Sequence, residues 1–274
     1  MNTKPELAGP QIAEKTIAVW NGRIKMRVKV AGQGPALVYF HPASGLLWDP
    51  FLSYLARTHT VYAPEFPGTS AGDPYAIHAV QNLSDVVLVY EELLRELKAT
   101  KPVFVGQSFG GMLAAELASA YPDIASRLVL LDPIGLWREN APVADWVSAT
   151  PGERAALLFK NPTGEAARSM LQLPEDQNVA ASVIAAITWA IGCTAKFAWP
   201  IPERGLRSRL HRLAANVLVV WGRDDALISS TYAEDWRREV KNCRSVLIDD
   251  CGHIPQVEKL NETVSAVSAF LAEA

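Results

Sequence analysis

Short apolar runs alternate along the chain with longer stretches in which apolar residues recur every three or four positions, a rhythm that predicts strands alternating with helices. Thr16 to Trp20 and Arg23 to Val30 alternate polar with apolar side chains around Asn21-Gly22, a hairpin signature, and predict an antiparallel pair at a sheet edge. Ala36 to Phe40 is apolar throughout, as a strand covered on both faces must be. Pro50 to Ala56 reads as a helix and His59 to Ala63 as the next strand. Between Asn82 and Ala99, the residues Leu83, Val86, Val87, Tyr90, Leu93, Leu94 and Leu97 make one helical stripe. Val103 to Val105 and Arg127 to Leu131 are further strands, with an Ala/Leu-rich helix between them from Met112 to Tyr121 that Pro122 stops. Asn216 to Trp221 and Arg244 to Ile248 complete eight strands, joined by a helix around Ser230 to Val240 and followed by one from about Asn261 to Ala272. This order predicts an α/β fold with a mostly parallel eight-stranded sheet flanked by helices.

Residues 134 to 210 break the rhythm. They hold Trp137, Trp146, Trp189 and Trp199, several prolines and the Ala/Ile-rich stretch Val179 to Ile191, with no convincing strand. We expect a helical cap over the end of the sheet, inserted into a core domain made of residues 1–133 and 211–274.

The 274 residues are 49% hydrophobic, enough for a large core, and the net charge of -3 comes from scattered charges. Nucleic acid and anionic membrane are therefore poor partners. Cys193, Cys243 and Cys251 are too few and too far apart to suggest a disulfide framework or a metal cluster. Met1 to Pro10 lacks an apolar core of signal-peptide type and reads as a short mobile tail. No uninterrupted apolar segment approaches membrane-spanning length, so a cytoplasmic protein with no membrane insertion, monomeric or homodimeric, is the expectation.

Between the strand at 103–105 and the helix after it lies Gly106-Gln107-Ser108-Phe109-Gly110, a G-x-S-x-G pentapeptide. Set between strand and helix, this order makes a turn so tight that Ser108 takes a strained backbone and side chains at 106 and 110 would meet neighbouring main chain. The strain would lift the Ser108 hydroxyl clear of the sheet and aim the Phe109 N–H at the space before it.

A serine hydroxyl needs a base, and the base an acceptor that fixes its tautomer. Of the five histidines, His253 lies just beyond the last strand, where a loop reaches the strand ends. His59 starts a strand on the opposite edge, and His78 and His211 sit in polar stretches. The strand Val217 to Trp221 runs into Gly222-Arg223-Asp224-Asp225, so one of two adjacent carboxylates can orient an imidazole while the other caps a turn or meets solvent.

Together these motifs resemble the α/β-hydrolase superfamily, whose triad runs serine, acid, histidine; Ser108, Asp225 and His253 match that order. The resemblance spans residue 16 to the C-terminus and favours Asp225 over Asp224, with Asp132 as the other acid position known among relatives. It implies an oxyanion hole from the Phe109 and Ala43 N–H groups, with Pro42 replacing the usual glycine of the His41-Pro42-Ala43 loop. His41 is expected to hold that loop, and Pro64 to Ser70, with Glu65 for the family's aspartate, to stabilise the fold.

The expected activity is a serine hydrolase acting on esters or lactones of small hydrophobic or aromatic substrates, without cofactor or metal. Leu46, Trp48, Trp137, Trp146, Trp189 and Trp199 are candidate pocket residues, although the four cap tryptophans would equally serve as the cap's own core. Two alternatives remain open. One is a carbon–carbon bond hydrolase of vinylogous diketones, which the motifs at 222–225 and 251–253 resemble, although its glycine-rich oxyanion loop is absent and Ile254 replaces its aromatic. The other is a receptor that keeps the triad but only binds. A carboxylate nucleophile, as dehalogenases and epoxide hydrolases need, is excluded by Ser108.

Overall fold

A computed structural model describes residues 10–70 and 72–273; the expected tail, except Pro10, lies outside them. Eight strands form one sheet in the order β1-β2-β4-β3-β5-β6-β7-β8. They are β1 (Ala13–Val19), β2 (Ile24–Ala31), β3 (Ala36–Phe40), β4 (Thr60–Pro64), β5 (Val103–Gln107), β6 (Arg127–Leu131), β7 (Asn216–Gly222) and β8 (Cys243–Ile248). β1 and β2 pair antiparallel with Val19 opposite Ile24, and the turn between them places Trp20, Asn21 and Gly22 at positive φ, as the Asn-Gly signature requires. β2 pairs antiparallel with β4, and every later pairing is parallel.

Helices cover both faces: α1 (Pro50–Leu55), α2 (Leu83–Glu96), α3 (Phe109–Ala120), α4 (Pro151–Leu158), α5 (Glu165–Leu171), α6 (Gln177–Ala198), α7 (Leu206–Arg209), α8 (Tyr232–Glu239), α9 (Pro255–Glu258) and α10 (Leu260–Ala272). Alternate strand residues feed two cores, because successive side chains point to opposite faces. Phe104, Leu128, Leu130, Val219 and Trp221 pack with α2, α3 and α8, whereas Val105, Val129, Leu131, Leu218 and Val220 pack with α1 and α10. α3 is buried almost all round, hence its mostly small and apolar content, with Glu116 and Ser119 as the polar exceptions.

The segment between β6 and β7 carries α4 to α7 and no strand. α6 runs 22 residues and is by length and composition the one described helix that could cross a membrane, more than the sequence reading allowed. In this fold its second half is a wall of the protein interior, with Ala190, Ile191, Cys193, Thr194, Phe197 and Ala198 buried.

β4 lies on one side of β3 and β5 on the other, so the strand order reverses direction beside β3. In an open α/β sheet the crevice at such a point, outside the carboxyl ends of the strands, is where ligands bind. β3 ends at Phe40, just before His41, and β5 at Gln107, just before Ser108.

Candidate active site

Ser108 has φ 53 and ψ -115, a backbone that few non-glycine residues adopt. Neighbouring main chain enforces it. A Cβ on Gly106 would lie 2.5 Å from the Gly110 carbonyl oxygen, and one on Gly110 would lie 2.0 Å from that of Phe40. Helix α3 starts directly at Phe109, three residues before the sequence pattern suggests, so the Phe109 N–H is a free first-turn donor.

The three residues expected to act together are in contact. His253 Nε2 lies 2.9 Å from Ser108 Oγ, and His253 Nδ1 lies 2.7 Å from Asp225 Oδ2. All are buried, His253 at 1% exposure and Ser108 at 7%. Asp225 does both jobs that the two adjacent carboxylates were expected to divide. Its Oδ1 accepts the Leu227 and Ile228 N–H groups at 2.8 and 2.9 Å, and its Oδ2 takes the imidazole and the Trp221 indole N–H. Asp224 points to solvent and pairs with Lys160 at 2.6 Å.

Asp132 does not reach the imidazole. It is fully buried behind the pair, with Oδ1 accepting the Gly222 N–H at 2.9 Å and Oδ2 without a partner. Burial, and then the facing Asp225, push its carboxyl well above the usual carboxylate range. Four N–H donors meet Asp225 and one meets Asp132, so Asp225 is the better-supported carboxylate of the two. Asp132, Asp225 and His253 offer donor atoms within 4.8 Å of one another, but a cation there would have to displace the Asp225–His253 bond.

The Ala43 and Phe109 N–H groups have no acceptor among the described residues. The loop bearing Ala43 is tied from two sides. His41 Nδ1–H donates to the Pro42 carbonyl at 2.7 Å, and Nε2 accepts the Phe66 N–H at 2.8 Å. Burial holds this ring neutral by lowering its pKa. The Thr194 hydroxyl of α6, which also reaches the Ala190 and Ile191 carbonyls at 3.0 and 3.1 Å, lies 3.2 Å from the Ala43 carbonyl, on the peptide that follows the Ala43 N–H. Glu65 accepts Arg27 at two atoms, 2.7 and 3.0 Å, a structural use in line with its position.

Three supports were not legible in the sequence. Gln107 Nε2 donates to the His253 carbonyl at 3.1 Å from the end of β5. The Leu158 carbonyl, at the end of α4, accepts the His253 N–H at 2.9 Å. Glu258 accepts the Gly252 N–H at 2.8 Å and the Lys160 N–H at 2.9 Å, clamping the histidine loop to the segment between β6 and β7. Gln107 holds a variable position of the pentapeptide and the other two lie outside any motif, so only the fold reveals these contacts.

Ser108 opens into a cavity of about 60 Å³, with Ala43, Phe109, Ile134, Ile191, Leu227 and Ile254 on its apolar side. That volume admits roughly four ordered waters or a short acyl chain. Of the six pocket candidates only Trp146 lines it; the rest are corrections. Leu46 and Trp48 pack on the opposite core, where the Trp48 indole donates to Ser53 at 3.0 Å. Trp137 turns to Glu139 at 2.9 Å, and Trp189 is 42% exposed with its N–H on the Gly68 carbonyl. Trp199 stands behind Trp146, edge to face at 5.4 Å. The Trp48, Trp137 and Trp189 indole N–H groups each found an acceptor away from the cavity, which composition does not reveal.

Residues 37–266 match a family model described as the alpha/beta hydrolase family. A 2-hydroxy-6-oxo-6-phenylhexa-2,4-dienoate hydrolase of Comamonas testosteroni is 26% identical over 265 residues, covering 89% of this chain and 90% of its own. A pimeloyl-[acyl-carrier protein] methyl ester esterase of Nitrosomonas europaea is 24% identical, covering 89% and 99%. Among solved structures, the 2-hydroxy-6-oxo-6-phenylhexa-2,4-dienoate hydrolase of Rhodococcus sp. strain RHA1 superposes with a TM-score of 0.77 at 20% identity, covering 96% of this chain and 100% of that one. At that identity the likeness concerns the fold.

Proposed function

The chain belongs to the alpha/beta hydrolase family, and from that footing we propose that it is a serine hydrolase cleaving esters or lactones of small, mainly apolar substrates through an acyl-enzyme. The observation that carries this reading is the buried relay from Ser108 to His253 to Asp225, at 2.9 and 2.7 Å, opening on the small cavity. His253 Nε2 takes the Ser108 proton as Oγ attacks the substrate carbonyl, and Asp225 stabilises the imidazolium. The oxyanion of the tetrahedral intermediate meets the Ala43 and Phe109 N–H groups, which wait without other acceptors. Collapse expels the alcohol, which receives the proton from Nε2. Water, deprotonated by His253, then attacks the acyl-serine and frees the acid.

A second reading is supported by the relatives that act on 2-hydroxy-6-oxo-6-phenylhexa-2,4-dienoate: carbon–carbon hydrolysis of a vinylogous diketone. Such a bond breaks only if the leaving carbon is protonated, an additional step that ester cleavage does not need. The test is a panel of p-nitrophenyl esters of rising acyl length, aryl esters, lactones and a vinylogous diketone, each with wild type and Ser108→Ala. Serine-dependent turnover of esters supports the first reading, and turnover of the diketone alone replaces it with the second. At most one product per chain would mean a binding protein instead.

A further inference from the structure

Among the described residues eight buried side-chain polar atoms lack a partner, and three of them, Trp146 Nε1, Arg154 Nε and Gln256 Oε1, belong to residues lining the Ser108 cavity. A buried polar atom without a partner is costly, more so on a charged group, and natural folds keep few. Three around a single cavity beside a nucleophile form a set awaiting a ligand.

The chemistry of the set is specific. Arg154 projects from α4, and its one hydrogen bond among the described residues runs from Nη2 to the Ala149 carbonyl at 2.9 Å. That bond fixes the guanidinium plane and leaves the Nε–H edge unpaired. Trp146 is 6% exposed and packs edge to face with Trp199, and its N–H has no protein acceptor among the described residues. Gln256, 3% exposed, carries an amide that presents either its oxygen or its N–H groups after a half-turn of its last torsion. A guanidinium N–H and an indole N–H offer two donors with one positive charge, which a carboxylate satisfies and a hydrocarbon does not. The remaining wall, including Ile134, Leu158, Met170 and Leu227, suits a short methylene chain.

Resting on the serine-hydrolase reading, we propose that the substrate carries a carboxylate bound by Arg154 and Trp146, so that the enzyme acts on half-esters or comparable acyl compounds of short dicarboxylic acids. Arg154 and Trp146 are the specificity-determining residues. Their segment belongs to the cap, so the cap selects the substrate while the sheet performs the chemistry.

The test compares mono-p-nitrophenyl glutarate with its uncharged isostere p-nitrophenyl 5-methylhexanoate. In wild type the kcat/KM ratio should favour the charged ester by at least about ten-fold, the size of a charge-assisted hydrogen bond. Arg154→Met should abolish that preference, Arg154→Lys should restore part of it, and Trp146→Phe, which removes the indole N–H together with part of the ring, should reduce it. Serine-dependent turnover of the neutral ester with no preference for the charged one, or a preference unmoved in Arg154→Met, overturns the proposal while leaving the hydrolase reading standing. If neither ester is turned over, that reading fails, and calorimetric binding of monomethyl glutarate to Ser108→Ala still decides the subsite. Weakening by at least about ten-fold when Arg154→Met is added supports it, and equal affinity overturns it.

Discussion

Asp225→Asn probes how the buried acid acts, and the structure dictates which way the amide must face. Oδ1 meets two backbone donors, Leu227 and Ile228, at 2.8 and 2.9 Å, whereas Oδ2 meets His253 and Trp221 at 2.7 and 3.1 Å. An amide has one oxygen, and the backbone donors cannot turn, so the oxygen stays with them and the –NH2 faces the imidazole. His253 must then accept at Nδ1 and carry its proton on Nε2, which lies 2.9 Å from Ser108 Oγ. A protonated Nε2 cannot take the serine proton. The expected loss is on the order of 10⁴ in kcat, by the precedent of the wrong tautomer, or about 5 kcal/mol of transition-state stabilisation. The fold should hardly change, because both turn-capping bonds survive and the Trp221 N–H keeps the Ile228 carbonyl at 3.1 Å. Initial rates on a p-nitrophenyl ester, with Tm measured alongside, check both halves. Asp132→Asn is the control, expected within about ten-fold of wild type because Asp132 does not touch the ring. Activity of Asp225→Asn within ten-fold of wild type, or the large loss appearing in Asp132→Asn instead, would refute the reasoning.

Gly110→Ala sets a Cβ 2.0 Å from the Phe40 carbonyl oxygen, where no side-chain motion can relieve the clash, and should cost about 3 kcal/mol or more. Thermal melts should show a drop of roughly 6–12 °C, with Gly152→Ala on α4, where a Cβ meets nothing within 4 Å, near neutral. His41 gives a pH signature. Its folded pKa lies below the ordinary value of 6.5, so the unfolded chain takes up the proton first as pH falls, and the stability present above 6.5 is lost toward the folded value. Urea melts at a series of pH values should show wild type losing stability below about pH 6.5 and His41→Gln losing less; a steeper loss in the variant would contradict the neutral ring.

Periodicity made the sheet legible because both of its faces are buried, leaving β3, β5, β6 and β7 as apolar runs with few other readings. The hairpin was legible from Asn21-Gly22, whose positive φ few other pairs tolerate. Ser108, Asp225 and His253 were legible for a different reason: each follows a strand end in a fixed order, and the elbow's glycines are demanded by main-chain approaches of 2.0 and 2.5 Å. The cavity wall was not legible. Whether a tryptophan lines it depends on where the nearest acceptor for its N–H lies, and Trp48, Trp137 and Trp189 found theirs in Ser53, Glu139 and Gly68. Arg154 and Gln256 carried no signal either, since a lone arginine on an amphipathic helix reads as solvated. Gln107 reaches the His253 carbonyl 146 residues away and Glu258 ties Gly252 to Lys160, 98 residues away, couplings that a single sequence does not display.

The most direct measurement is the mass of the protein acid-quenched during turnover of a p-nitrophenyl ester, followed by peptide mapping. Wild type should gain one acyl group on the peptide holding Ser108, and Ser108→Ala should gain none and release no acid above background. An adduct on another residue, or undiminished turnover by Ser108→Ala, would contradict nucleophilic catalysis at this elbow.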